Sequence, residues 1–282
     1  MILFPKYIQI ETTILCNGNC VFCPQNELTR RPVYMEERVW KKIINESRGR
    51  GVIYRPFLVN EPYIDHRLGE IIRCIRQDKT AKVELNSNGH FVSRELVTET
   101  LEAGIDWMRF SVDGFSEETY KKSGRGINYY KVVDDVHFFI KERDRLKSSC
   151  FVEVRMIGLD DNKHEQKNFL DYWNEYADKA TITALYNWPW MGQTEPFRAP
   201  CPKIKQEMFF VVDGRATLCC WDFQERGVIG DINSQTVEEI WLGAVNQQYR
   251  SMLSEGRRDE IVLCSRCDAY KTYDFSQWTG YV

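Results

Sequence analysis

Between residue 6 and about residue 187, short β-branched or aromatic runs alternate with segments of helical period. The runs predict strands over 7–13, 52–59, 82–87, 106–112, 150–157 and 180–186. The segments between them predict helices over 35–47, 65–77, 93–103, 128–146 and 163–177. In "SRELVTETLEAG", Ser93 is a candidate N-cap, Leu96, Val97 and Leu101 share one face, and Gly104 closes the helix. Strand–helix alternation implies right-handed crossovers and a parallel sheet. Six such units suit an α/β fold of the partial, TIM-like (β/α)6 barrel type. Periodicity alone leaves a doubly wound sheet as the alternative.

After residue 187 the pattern changes. "YNWPWMGQTEPFRAPCPK" is rich in proline and aromatics, has no period, and reads as a linker. Its Trp188 and Trp190 either stack on a sugar face or pack a domain junction. "EMFFVVDGRATLCCWDF" follows, two apolar runs around Asp213-Gly214, which is a hairpin signal. Short helices over 234–244 and near 247–256 come next, then "CSRC". The expected division is 1–192 for the barrel and 193–282 for a small second domain.

Composition narrows the functional classes. The 282 residues are 43% hydrophobic and 28% charged, which favours a packed core over disorder. A net charge of -3 and the lack of a long basic run give no electrostatic footprint for nucleic acid or an anionic membrane. "MILFPKYIQIETT" lacks a basic n-region and a small-residue cleavage site, and no apolar run approaches the ~18 residues of a membrane span. The expectation is a cytoplasmic protein with neither nucleic-acid nor membrane partners. In a reducing compartment its 10 cysteines read as metal ligands or catalysts rather than disulfides. The four histidines show no metal spacing and read as surface or capping residues.

"CNGNCVFCPQ" places Cys16, Cys20 and Cys23 in a loop just after the first predicted strand. Sites form at the carboxyl edge of such sheets. Thiolates are the usual ligands of iron–sulfur clusters, and three of them hold three irons of a four-iron cubane. The fourth iron then stays open to a ligand that is not protein, and open coordination marks reactivity. A zinc knuckle is the plain alternative.

The C-x3-C-x2-C spacing, with aromatic Phe22 before the last cysteine, resembles the signature of the radical S-adenosylmethionine (SAM) superfamily. That resemblance implies that the open iron chelates SAM, and that one electron cleaves it to a 5′-deoxyadenosyl radical. The radical then abstracts hydrogen from substrate, and the protein supplies position and shielding. Further matches cover most of residues 7–157. "VNEP" is similar to the family's Gly-Gly-Glu-Pro element, keeping Glu61 and Pro62 but replacing the glycines with Val59 and Asn60. The match implies that Glu61 accepts from the SAM ammonium. "NSNGH", with Asn88, resembles a Thr-Asn-Gly element, and "RFSVDG" resembles a Ser-x-Asp-Gly element that makes Ser111 a candidate SAM contact. "SGRG" resembles the following Arg-Gly motif, so either Arg125 or Arg155 on the fifth strand is the candidate partner of the SAM carboxylate.

Downstream, Cys201, Gly214 and Cys219, then Cys264 and Cys267, give C-x12-G-x4-C followed by C-x2-C. This is similar to the shortened SPASM, or twitch, domain, as in 2-deoxy-scyllo-inosamine dehydrogenase and radical SAM epimerases. It implies a second, auxiliary [4Fe–4S] cluster held by Cys201, Cys219, Cys264 and Cys267. A structural zinc on the same four residues is the alternative. Metal would stabilise so small a unit. Cys74 and Cys150 fall in helix and strand patterns and read as core residues. Cys220 is a buried apolar residue, a ligand in place of Cys219, or a hydrogen-atom donor that quenches a substrate radical and inverts its carbon. Adjacent strand residues face opposite ways, so donor and ligand share a site only where the strand ends or bulges.

The first expectation for function is therefore epimerisation of a carbohydrate-type substrate, such as an aminoglycoside or oligosaccharide, with Cys220 as donor. The alternatives are oxidation of an alcohol to a ketone, with the auxiliary cluster accepting an electron, and modification of a peptide. Because the chain starts at its first strand, a small molecule or glycan is expected over a peptide. A reductant such as flavodoxin or ferredoxin is the implied protein partner.

Overall fold

The computed structural model describes residues 4–185, 201–265 and 267. Trp188, Trp190 and the expected division at 192/193 lie outside the described residues. The first part of the chain is β1 (Tyr7–Ile10), α1 (Glu37–Glu46), β2 (Ile53–Arg55), α2 (Leu68–Arg76), β3 (Lys82–Ser87) and α3 (Arg94–Ala103). It continues with β4 (Trp107–Ser111), α4 (Glu117–Lys122), α5 (Tyr129–Arg145), β5 (Phe151–Gly158), α6 (Gln166–Tyr176) and β6 (Lys179–Ala184). The later part holds α7 (Pro202–Gln206), β7 (Glu207–Phe210), β8 (Arg215–Thr217), β9 (Val228–Asp231), α8 (Val237–Leu242) and α9 (Ala244–Ser254). Among the described residues no helix is long and apolar enough to cross a membrane.

The described strands form one nine-stranded sheet, ordered β6-β5-β4-β3-β2-β1-β7-β8-β9. β1 to β6 are parallel neighbours in chain order. A doubly wound sheet reverses its order at a switch point. Over β1 to β6 this sheet does not, as a partial barrel requires; only the later strands β7 to β9 lie on the far side of β1. Strand alternation sorts the side chains. Val83, Leu85, Met108, Phe110, Val152 and Val154 join the helix residues Ile71, Val97, Val136 and Phe139 in the apolar core. The opposite, inner face carries a charged lattice. Arg55 reaches Glu84 at 2.7 Å and Glu207 at 3.7 Å, and Arg109 reaches Glu153 at 2.8 Å.

Two expected strand ends need correction, and one helix went unpredicted. β1 ends at Ile10, not 13, because the next residues pair with 33–35 instead, Met35 N to Thr12 O at 2.8 Å and Ile14 N to Val33 O at 3.0 Å. β2 ends at Arg55, not 59, because Pro56 has no N–H for the ladder. α4 went unpredicted; its six residues are too few for a visible period, and its signal is the Ser116 hydroxyl accepting from Thr119 N.

The Asp213-Gly214 hairpin is present, with Gly214 at φ +96°, a conformation glycine adopts without a Cβ penalty. It does not stand apart from the barrel. β7 pairs in parallel with β1, Ile8 opposite Met208 and Ile10 opposite Phe210, so the hairpin extends the barrel sheet.

Candidate active site

The loops after β1, β2, β3 and β4 converge. In the first, Gly18 N donates to Cys16 Sγ at 3.3 Å, and Cys23 N bonds Cys20 O at 3.0 Å. Asn19 N bonds Arg125 O at 2.7 Å and Val21 N bonds Ser123 O at 3.2 Å, which ties the loop to the segment after α4. All three cysteines are half-buried. Burial pushes the Cys16 thiol up to about 12, with the Glu61 carboxylate adding to the effect, and pushes Cys23 up to about 11. Burial also raises Cys20, against the pull of Arg125. Phe22 is half-buried in the same loop.

Glu61 is buried and caps the turn Pro62–Ile64. Its Oε1 accepts from Ser87 Oγ at 2.9 Å and Tyr63 N at 3.2 Å, and its Oε2 accepts from Asn88 N at 2.7 Å. Burial raises this carboxyl to about 7, even though the three donors favour its charged form. Asn88 Nδ2 donates to Asn17 Oδ1 at 2.7 Å and lies 3.9 Å from Cys16 Sγ. Asn17 Nδ2 also bonds His90 O at 3.0 Å and lies 3.2 Å from His90 Nδ1.

Sequence reasoning passed over Asn17, His90 and Asp113. His90 is no mere surface residue, since it braces the cysteine loop. Only the position of "NGN" within the cysteine cluster and the run "NSNGH" pointed to this polar chain.

The two arginines differ. Arg125 Nε donates to Asp113 Oδ2 at 2.9 Å, and its Nη2 bonds the same oxygen. Asp113 Oδ1 accepts Ile157 N at 2.9 Å. Burial works against the Arg125 charge, yet Asp113 beside it raises its pKa. Arg155 Nη2 donates to Ser111 Oγ at 3.3 Å, while its buried Nε has no hydrogen-bond partner among the described residues. Burial, with Arg109 beside it, pulls Arg155 down to about 10.

Of the second cysteine set, Cys201 lies just before α7, Cys219 and Cys220 just past the end of β8, and Cys264 and Cys267 beyond α9. The neighbouring Cys219 and Cys220 thiols act on each other, an interaction that raises Cys219 and lowers Cys220. Thus the strand has ended before the two cysteines, as a shared site requires. Cys201 is an electrostatic neighbour of Cys219 and Cys264, and Cys267 of Cys264. Lys203, an electrostatic neighbour of Cys220, reaches Glu207 at 3.2 Å and so links Cys220 to the inner-face lattice. Cys150 is in the core and Cys74 packs against it.

Both donor sets are thiols, which fits iron–sulfur chemistry. Among the described residues no three Cys, His, Asp or Glu side chains close round a single metal ion.

Residues 10–172 match the radical SAM superfamily. The chain belongs to that superfamily. Residues 201–268 match SPASM, an iron-sulfur cluster-binding domain. The radical SAM match implies SAM and a [4Fe–4S] cluster as cofactors, and the SPASM match implies an auxiliary iron–sulfur cluster.

Among radical SAM relatives, the chain is similar to S-adenosyl-L-methionine-dependent 2-deoxy-scyllo-inosamine dehydrogenase of Niallia circulans, 22% identical over 273 residues, covering 93% of this chain and 92% of that one. It is also similar to GTP 3',8-cyclase of Lactiplantibacillus plantarum, 30% identical over 180 residues, 62% of this chain. That match spans about half of the cyclase, 52% of its length. The fold resembles the crystal structure of BtrN in complex with AdoMet and 2-DOIA, with a TM-score of 0.65, 16% identity, and coverage of 94% and 93% of the two chains.

Proposed function

We propose that this radical SAM enzyme removes hydrogen from a carbinol carbon of a polar, carbohydrate-type small molecule and inverts that carbon, with Cys220 returning the hydrogen. The observation that carries this reading is the place of Cys220: past the end of β8, next to the proposed ligand Cys219, and in the field of Lys203, which pairs with Glu207 of the charged inner face. When bound, SAM and its cluster supply the 5′-deoxyadenosyl radical.

In this reading Cys16, Cys20 and Cys23 hold the SAM cluster, and Cys201, Cys219, Cys264 and Cys267 hold the auxiliary one. Glu61 fixes Asn88 and turns its remaining lone pairs toward the SAM ammonium. Arg155 takes the SAM carboxylate, because its buried Nε lacks a partner while Arg125 is committed to Asp113. Ser111 orients Arg155. The S–H bond of Cys220 breaks as the new C–H bond forms. The sulfur radical then needs one electron and one proton, so a reductant completes turnover.

A second reading, oxidation of the carbinol to a ketone, is supported by the end-to-end similarity to 2-deoxy-scyllo-inosamine dehydrogenase. Reconstituted, dithionite-reduced protein given SAM and a panel of aminocyclitols, aminoglycosides and oligosaccharides tests both. Epimerisation gives 5′-deoxyadenosine and a product isomeric with its substrate. A product lighter by two hydrogens supports the dehydrogenase. Fully loaded protein that never cleaves SAM contradicts both.

A further inference from the structure

Glu11 and Arg30 form a fully buried pair at the seam between the two cluster-bearing parts. Glu11 lies five residues before Cys16, and Arg30 seven after Cys23. Arg30 Nε and Nη2 grip the Glu11 carboxylate at 3.0 and 2.7 Å. Glu11 Oε2 also accepts Val212 N from the β7–β8 turn at 3.1 Å. The third edge of the guanidinium crosses the seam, where Nη1 donates to the carbonyl of Phe223, four residues after Cys219. Glu225 stands 3.5 Å from Arg30 on the far side and pairs with Arg215.

A planar, five-donor fork suits this task; an ammonium does not. It fixes one carboxylate bidentately and still has an edge for a carbonyl at a set angle. Both ends lead by short stretches of chain to cysteine loops. We propose that Arg30 is a positioning residue that registers the Cys16–Cys23 loop against the Cys219–Cys220 turn, and so sets the separation of the two clusters. A change of about 1 Å in the placement of reacting groups is enough to cost orders of magnitude in rate. A buried clamp there serves turnover as well as stability.

The test is pulsed electron paramagnetic resonance on frozen, dithionite-reduced, SAM-loaded protein, reading the distance between the two reduced clusters. Wild type gives a narrow distribution. Arg30→Lys keeps the charge opposite Glu11 but loses the fork, and is expected to retain both clusters with a distribution at least twice as wide. An unchanged width in Arg30→Lys overturns the proposal, whatever happens to the melting temperature. Should Arg30→Lys fail to hold both clusters, the paired variant Glu11→Gln/Arg30→Gln is the second arm. It leaves no unpaired buried charge, and the same broadening is expected. Unchanged width there, or loss of both clusters in every variant, reduces the pair to a folding element and overturns the proposal.

Discussion

Oε2 of Glu61 accepts a 2.7 Å hydrogen bond from the backbone N–H of Asn88, joining the loop after β2 to the end of β3. The Asn88 side chain carries the link on to Asn17 in the cysteine loop. One carboxylate thus orients the surface on which SAM is proposed to lie. Glu61→Ala is expected to weaken SAM binding about tenfold or more, in line with roughly 1.5–3 kcal/mol for a hydrogen bond to a charged group. Both clusters should remain. Titration of reconstituted protein with SAM checks this, and wild-type affinity in the variant contradicts the role.

Two cubanes require about eight irons per chain. Replacing Cys16, Cys20 and Cys23 together with Ala should halve the iron and abolish SAM cleavage. Replacing Cys264 and Cys267 should also halve it, but leave reductive SAM cleavage measurable. Iron and sulfide analysis after anaerobic reconstitution reads both, and stoichiometric zinc in place of iron contradicts the assignment.

The arginines should separate cleanly. Arg125→Gln strands the Asp113 carboxylate, which is 1% exposed, and breaking such a buried pair costs about 3–5 kcal/mol. Its main effect should be a large drop in melting temperature. Arg155→Gln removes a guanidinium with an unpartnered Nε, so it should leave the melting temperature nearly unchanged and weaken SAM binding about tenfold. Calorimetry and SAM titration on both variants check the pair, and exchanged outcomes contradict the assignment.

Glu61 also predicts a pH dependence for the metal-free protein. Its carboxyl is raised to about 7 from 4.5 by burial. The unfolded chain therefore loses this proton first as pH rises. The stability it contributes is full below about pH 4.5 and is lost as pH rises through 7. At 1.36 kcal/mol per unit, that loss is about 3 kcal/mol. Denaturant titrations across this range should slope downward in wild type and flatten in Glu61→Ala.

The elements with a long, regular period were legible: β3 to β6 and the helices α3, α5 and α6 lie where alternation and caps placed them. The two cysteine clusters were legible because spacing alone marks them, and both lie within the matched families. What stayed hidden depends on contacts distant in sequence. Nothing local to Met208 says that it will pair with Ile8, 200 residues earlier. Glu11, Arg30 and Asp113 read as ordinary polar residues at strand and loop ends, and only the fold turns them into buried pairs. That Arg125 already has a carboxylate partner in Asp113 was likewise invisible before the fold. For Cys220 the relevant fact is where the strand ends: β8 stops at Thr217, before both cysteines.

Turnover in D2O with wild type and Cys220→Ala tests the central claim most directly. A thiol exchanges its proton with solvent, so epimerisation through Cys220 places one deuterium on the inverted carbon and leaves the product mass otherwise unchanged. Cys220→Ala should keep both clusters and still form 5′-deoxyadenosine, yet yield at least tenfold less epimer. A ketone product without solvent deuterium, formed equally well by Cys220→Ala, contradicts the epimerase and makes the chain a dehydrogenase.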